Sequence, residues 1–365
     1  MKVCIFTHIR NQHAQGMATG LAQHGHQVSV VLHKPTDIPG VTVEKFAVPR
    51  PRLTNPHRWP TRHRSYLRRF VREHDVVVVF FLLDWGFTPE LLEEGCVIAS
   101  PRGSDIVTPP GEDAPPPELV EKRIELLRHA SGVGVAGPTF ANTVADFAGI
   151  PIDRIDRLSL GVDLERFQPQ PSRVPKQDGP QRVGFFKGFR EVYGAIHLVR
   201  AIPLVLEKLG CVRFDLVGEG SQLQACKEVA HRLGLTDSIR WLPQQPHDEI
   251  PRHLDGWDVS VMPSLCESFG LAALESSAMG VPIVASNVGG IVDTVHDGQT
   301  GLLVRPASPE LLAEGIVALL KNDELRSRMG RAGRAFVERE YEWHKVLNDW
   351  TAMFQRTLDR VSVMV

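Results

Sequence analysis

This chain of 365 residues carries none of the simplest metal-ligand signatures: no Asp-x-Asp triplet and no His-Glu-x-x-His occurs anywhere in it. His24-Gly25-His26 is the nearest approach, and its place at a helix-to-strand turn favours a structural reading over a metal site. Cysteine is sparse and unpaired in pattern. The five thiols, Cys4, Cys96, Cys211, Cys226 and Cys266, form no Cys-x-x-Cys and are odd in number, which fits reduced cysteines in a cytoplasmic protein rather than a disulfide framework. No apolar run approaches the length of a membrane span, and MKVCIFTHI turns polar after a few residues, so neither a span nor a signal peptide is expected. A formal net charge of −2 and a pI near 6.7 give no global attraction for nucleic acid or for an acidic partner. A dinucleotide fingerprint is also missing. VGEGSQL begins like one after an apolar strand, but position 223 is Leu where the third glycine should stand.

What is present is an alternation of short apolar runs with segments of helical period, the pattern of a parallel α/β architecture. KVCIF (2–6), QVSVVL (27–32), DVVVVFFLL (75–83), CVIAS (96–100) and GVGVAG (132–137) predict strands, with a helix over about 14–24 ended by Gly25. The proline-rich QPQPSRVPKQDGP (168–180) marks a domain boundary. Strands then resume at RVGFF (182–186), RFDLVG (213–218), SIRWL (238–242), DVSVM (258–262), PIVAS (282–286) and GLLV (301–304). The length suits two domains, and two doubly wound sheets would offer a ligand cleft at the carboxyl ends of their strands.

CESFGLAALESSAMG (266–280) places Glu267 and Glu275 eight positions apart. On one continuous helix their α-carbons would lie about 12 Å apart along the axis, too far to flank a single bond. If Gly270 breaks the chain just before the helix, Glu267 lies in a loop at its mouth and Glu275 one to two turns inside. The pair then grips two parts of a long ligand, with helix N–H groups between them. A solvated amphipathic helix is the plain alternative.

VGEG (217–220), MPSLCESFGLAALESSAMGVPIVASNVGG (262–290), DGQTGLLVRP (297–306) and MGRAGRAFVEREYEW (329–343) stand in an order that resembles the retaining, nucleotide-sugar-dependent glycosyltransferases of the GT-B fold, group 1 or family four. The resemblance is carried by the second half, while the first half matches in layout more than in residues. It implies a GT-B protein: two Rossmann-like domains facing a central cleft, an acceptor domain over 1–168 and a donor domain over 181–342. A terminal segment, 343–365, would cross back to the first domain as a helix.

The same resemblance makes Glu267 the group that touches donor-sugar hydroxyls and Glu275 the clamp on the nucleotide ribose. Backbone N–H groups of Phe269, Gly270 and Leu271 would hold the diphosphate at a helix start, where the dipole favours anions and a glycine allows close approach. Fixed cations should stabilise the leaving phosphate. Here the sequence departs from the family: Tyr193-Gly194 stands at the usual Lys-Gly place, leaving Lys187 first and Arg190 second as the available cations. A surface charge pair is the competing reading. Gly218 and Gly220 fit a tight strand-end turn beside the donor, and the loop 241–251 should border the base.

In the first half, SPRGSDI (100–106) carries Arg102 where many relatives have a histidine, next to Gly103 and Asp105. Arginine stays protonated and is no general base, so Arg102 holds an anionic group of the acceptor or merely forms a turn. The loop 7–16, ending in Gly16, lacks the paired glycines of many relatives. RPRLTNPHRWPTRHRSYLRRFVREH (50–74) holds eight arginines and a single acid. A solvated linker and helix, contact with a membrane leaflet or anionic acceptor, and contact with RNA are its three readings, the last disfavoured by its prolines.

The expected activity is therefore metal-independent, cofactor-free transfer of a hexosyl unit, with retention, from a UDP- or GDP-sugar to a hydroxyl acceptor, sugar or lipid-linked. Polysaccharide or glycolipid assembly is the expected setting, in the cytoplasm or at the inner face of the membrane. The rivals are a glycoside phosphorylase on the same fold and a non-catalytic nucleotide-sugar-binding scaffold.

Overall fold

A computed structural model describes residues 1–7, 12–34, 36–46, 61–82, 85–169 and 179–364. It divides into two compact units. The first comprises Met1–Thr108, Asp113–Leu160 and His344–Val365, and the second Pro109–Glu112 and Gly161–Trp343. The break near 161 precedes the proline-rich stretch expected to mark it, of which 170–178 lie outside the described residues.

The first unit is built on seven parallel strands, β1 (Lys2–Phe6), β2 (Gln27–Leu32), β3 (Thr42–Lys45), β4 (Val76–Phe80), β5 (Val97–Ser100), β6 (Gly132–Val135) and β7 (Ile155–Arg157). Their order is β3-β2-β1-β4-β5-β6-β7. The central strands are buried on both faces and are continuous apolar runs, as parallel sheets covered by helices require. β3 and β7 had no sequence signal because they are edge strands, TVEK and IDR, with only partial burial. A helix over Gln12–Gln23 follows β1, and Gly25, at φ +83°, turns the chain into β2. The helix Trp343–Met364 enters this unit at His344, stacking the Trp350 ring on Phe80 at 5.4 Å and donating its indole N–H to the Ser159 carbonyl at 3.0 Å. His24 and His26 pack on the same helix: His24 stacks on His344, and His26 Nε2 lies 3.0 Å from Thr351 Oγ1. The turn histidines are structural contacts.

The second unit has six parallel strands, β8 (Gln181–Phe186), β9 (Val212–Val217), β10 (Ile239–Leu242), β11 (Val259–Met262), β12 (Ile283–Ser286) and β13 (Gly301–Val304), in the order β10-β9-β8-β11-β12-β13. The strand order reverses between β8 and β11, and in open α/β sheets that switch point is where ligands bind. Trp257, 2% exposed, packs where a β-carbon on Gly184 of β8 would stand, and donates its indole N–H to Asp215 of β9. Asp215 is in turn held by Arg240 of β10 at 2.9 and 2.7 Å, so a buried carboxylate on the central sheet is satisfied on every side. These contacts tie β8, β9 and β10 to the residue that leads into β11, and the candidate site grows from the opposite, carboxyl ends of β8 and β11.

Candidate active site

At the carboxyl end of β8 the chain runs Lys187-Gly188-Phe189-Arg190 into a 3-10 turn over Glu191–Tyr193. Two features of the β9 turn hold it. Phe189 donates its N–H to Glu219 O at 2.8 Å, and Gln222 donates to Phe189 O at 2.7 Å. Gly218, at φ +144°, lies so close to the Lys187 carbonyl that a β-carbon there would stand 2.2 Å from it. The glycines of VGEG thus shape the backbone that presents Lys187.

The carboxyl end of β11 leads through Pro263–Cys266 to Glu267. Leu265 donates to Val192 O at 2.8 Å, zipping this loop onto the β8 turn, and Gly290 donates to Glu267 O at 2.8 Å. These backbone contacts bring together residues eighty apart in sequence: Lys187 Nζ donates to Glu267 Oε2 in a short ion pair, with the two side chains 16% and 13% exposed. Burial alone would pull the ammonium toward neutrality, but Glu267, Tyr193 and Glu275 outweigh it and raise its pKa, so Lys187 is charged at neutral pH. The Tyr193 ring lies 4.5 Å from Lys187 Nζ and 5.9 Å from the Arg190 guanidinium. Arg190 itself is ion-paired with Glu112, and about half of its side chain remains exposed.

The chain then bends at Gly270, φ +93°, into the buried helix Leu271–Ala278. A side chain at 270 would adopt a left-handed backbone and place its β-carbon 2.8 Å from Thr294 Oγ1, which explains the glycine. Among the described residues no side chain caps this helix, and while Ala273 donates its N–H to Gly270 O at 2.9 Å, the N–H groups ahead of it can face an anion. Phe269 contributes backbone only, since its ring is buried beside Tyr341 at 5.7 Å. Glu275 lies inside the helix, 6% exposed, with Oε1 2.7 Å from His247 Nε2. The loop-then-helix geometry expected for the two glutamates is the one observed.

Sequence reasoning missed His247, Glu112 and Tyr193 as neighbours of these groups. His247 lies within the loop expected to border the base, but nothing in its spacing ties it to Glu275, 28 positions later.

The remaining expected residues lie in the first unit. Gly16 is in the helix Gln12–Gln23, and 8–11 of its loop lie outside the described residues. Asp105 is 2% exposed and accepts from the N–H groups of Leu82, Arg102 and Gly103 at 2.8–3.2 Å, so its carboxylate builds the turn after β5. The Arg102 guanidinium lies 4.0 Å over the Phe80 ring and 5.6 Å from Trp350. Burial pulls its pKa down to about 9, partly offset by Asp105, which leaves it charged at neutral pH. In the basic stretch, 50–60 lie outside the described residues; in the helix Thr61–Glu73, Arg68 and Arg72 pair with Glu94 and Arg69 with Glu44. Among the described residues no cluster of His, Cys, Asp and Glu is placed to hold a metal ion.

Two family descriptions cover most of the chain: glycosyltransferase family 4 over residues 11–166 and glycosyl transferases group 1 over 167–336. The chain is a group 1 glycosyltransferase. The transferase is 29% identical over 297 residues to the GDP-mannose-dependent alpha-(1-6)-phosphatidylinositol monomannoside mannosyltransferase of Mycobacterium tuberculosis, covering 76% of this chain and 75% of that one. It is 36% identical over 202 residues to a D-inositol 3-phosphate glycosyltransferase of Frankia alni, over 50% of this chain and 49% of the relative. Its fold matches HepE from Anabaena, solved in complex with UDP, with a TM-score of 0.79 at 18% identity over 98% of this chain and all of that one. The two parallel sheets of the transferase are thus those of the GT-B fold.

Proposed function

We propose that the transferase moves a hexosyl unit, with retention and without a metal, from a UDP- or GDP-sugar to a hydroxyl acceptor. The observation that carries this reading is the assembly of Lys187, Glu267 and the helix start at Gly270 at the sheet's switch point, with Glu275 one turn inside. Glu267 takes donor-sugar hydroxyls and Glu275 the ribose. Lys187 and Arg190, with the N–H groups of Phe269, Gly270 and Leu271, stabilise charge on the departing diphosphate.

As the bond from the sugar carbon to the diphosphate oxygen breaks, the acceptor oxygen bonds that carbon on the same face. The acceptor proton passes to the departing phosphate oxygen, so no side-chain base is required. The GDP-mannose donor named for the mycobacterial relative and the UDP bound to HepE support a nucleoside diphosphate donor of either base. The glycolipid named for that same relative supports a lipid-linked acceptor and contact of 50–74 with an anionic membrane surface. Arg102 is proposed to face an acceptor anion from the turn that Asp105 holds, and Gly16 to flank it.

Incubation with UDP- and GDP-sugars in chelator, followed by nucleotide release and the anomeric NMR signal of the product, tests the reading. Release from one donor with the anomeric configuration kept is expected. Inverted product, dependence on divalent metal, or turnover of sugar 1-phosphate alone would contradict it.

A further inference from the structure

Glu275 does not stand alone in its helix. His247 Nε2 lies 2.7 Å from its Oε1, and on the other side of the ring the Arg166 Nη1 lies 3.2 Å from His247 Nδ1. Arginine has only donors, so Nδ1 must accept; a carboxylate has only acceptors, so Nε2 must carry the hydrogen. The two contacts together define a neutral imidazole with one tautomer, its N–H aimed at Glu275. The segment that supplies Arg166 is itself fastened to the helix of Glu275. Arg334 Nη1 donates both to Phe167 O at 2.6 Å and to Ala278 O at 2.7 Å, and the Phe167 ring lies 5.4 Å from the His247 ring. One carboxylate oxygen of Glu275 is thereby committed, and the geometry leaves the other for ligand hydroxyls.

We infer that His247 is a positioning residue for nucleotide-sugar binding: it fixes the Glu275 carboxylate for the ribose hydroxyls, and Arg166 fixes the tautomer in which it does so. The inference rests on the proposed ribose role of Glu275. Without the imidazole, a carboxylate 7% exposed would lose its partner and its rotamer would loosen, while the diphosphate cradle at Gly270 would be untouched.

The test is calorimetric binding of UDP and GDP, each beside its 2′,3′-dideoxy analogue, to wild type and to His247→Ala, His247→Gln and Arg166→Leu. Wild type should bind one ribonucleotide at least tenfold more tightly than its dideoxy analogue. His247→Ala should lose about tenfold in ribonucleotide affinity, the equivalent of one hydrogen bond to a charged group, and nothing with the analogue. His247→Gln, whose amide nitrogen stands where Nε2 did, should recover most of that loss, and Arg166→Leu should show the same selective loss at smaller size.

Equal losses for both ligands would make His247 a structural residue and overturn the inference. Tighter ribonucleotide binding by His247→Ala would show that the imidazole covers the carboxylate instead of presenting it, and would overturn it too. An unaffected Arg166→Leu would remove Arg166 from the inference. If wild type bound neither nucleotide, or bound ribo and dideoxy forms alike, the ribose reading of Glu275 would itself fail and take the inference with it. The wild-type pair of measurements therefore separates the two failures.

Discussion

Lys187 sits under two opposing pulls, burial toward neutrality and the carboxylates of Glu267 and Glu275 toward charge, and the carboxylates win. Both members of the Lys187–Glu267 pair are mostly buried, so removing either leaves an uncompensated charge, a loss of about 3–5 kcal/mol. Lys187→Met and Glu267→Gln should each lower the urea midpoint, and the double variant should regain much of the loss. Transfer should fall roughly 100 to 1,000-fold in all three. Stability losses that simply add in the double variant would mean the two side chains do not depend on each other. Both residues were singled out by the sequence's resemblance to the glycosyltransferase family, Glu267 through the CESFGLAALESSAMG motif and Lys187 as the first cation after the strand that became β8. His247 and Glu112 were not, because each meets its partner only through a chain reversal that no local spacing records.

The proposed diphosphate cradle is an element-scale feature, the first turn of the helix Leu271–Ala278. Gly270→Ala would impose a left-handed conformation that costs an L-residue roughly 1–2 kcal/mol and would press on Thr294, which holds the Phe269 carbonyl. We expect a small fall in melting temperature and a loss of transfer of about 100-fold as the N–H groups swing off the diphosphate. Wild-type kinetics in Gly270→Ala would show that the helix start is not the cradle. Central strands such as β1, β4 and β11 were readable because burial on both faces demands unbroken apolar runs. β3 and β7 escaped for the opposite reason, as half-exposed edges such as IDR have no apolar face to display.

In the molecule as a whole, among the described residues, no helix is long and apolar enough to cross a membrane. Its stability should depend on pH through half-buried histidines. His26, His197 and His253 have pKa values lowered first by burial and then by nearby positive charge. A depressed histidine favours the neutral form in the folded state, so its contribution is complete above the unfolded value near 6.5 and declines as pH falls through the folded value. The melting temperature should therefore drop as pH goes from 6.5 toward 5, and His197→Gln should flatten part of that slope; an unchanged slope would contradict it. The proposed nucleotide binding by the second unit is more central still. Thermal unfolding with UDP, GDP and ADP, on wild type and on Glu275→Ala, tests it most directly. At about 100 times its dissociation constant a bound ligand adds roughly 2.7 kcal/mol, enough to raise the transition by several degrees. The expected result is a rise with UDP or GDP in wild type that disappears in Glu275→Ala; no rise with any nucleotide, or an equal rise in the variant, would contradict the assignment of Glu275 to the donor ribose.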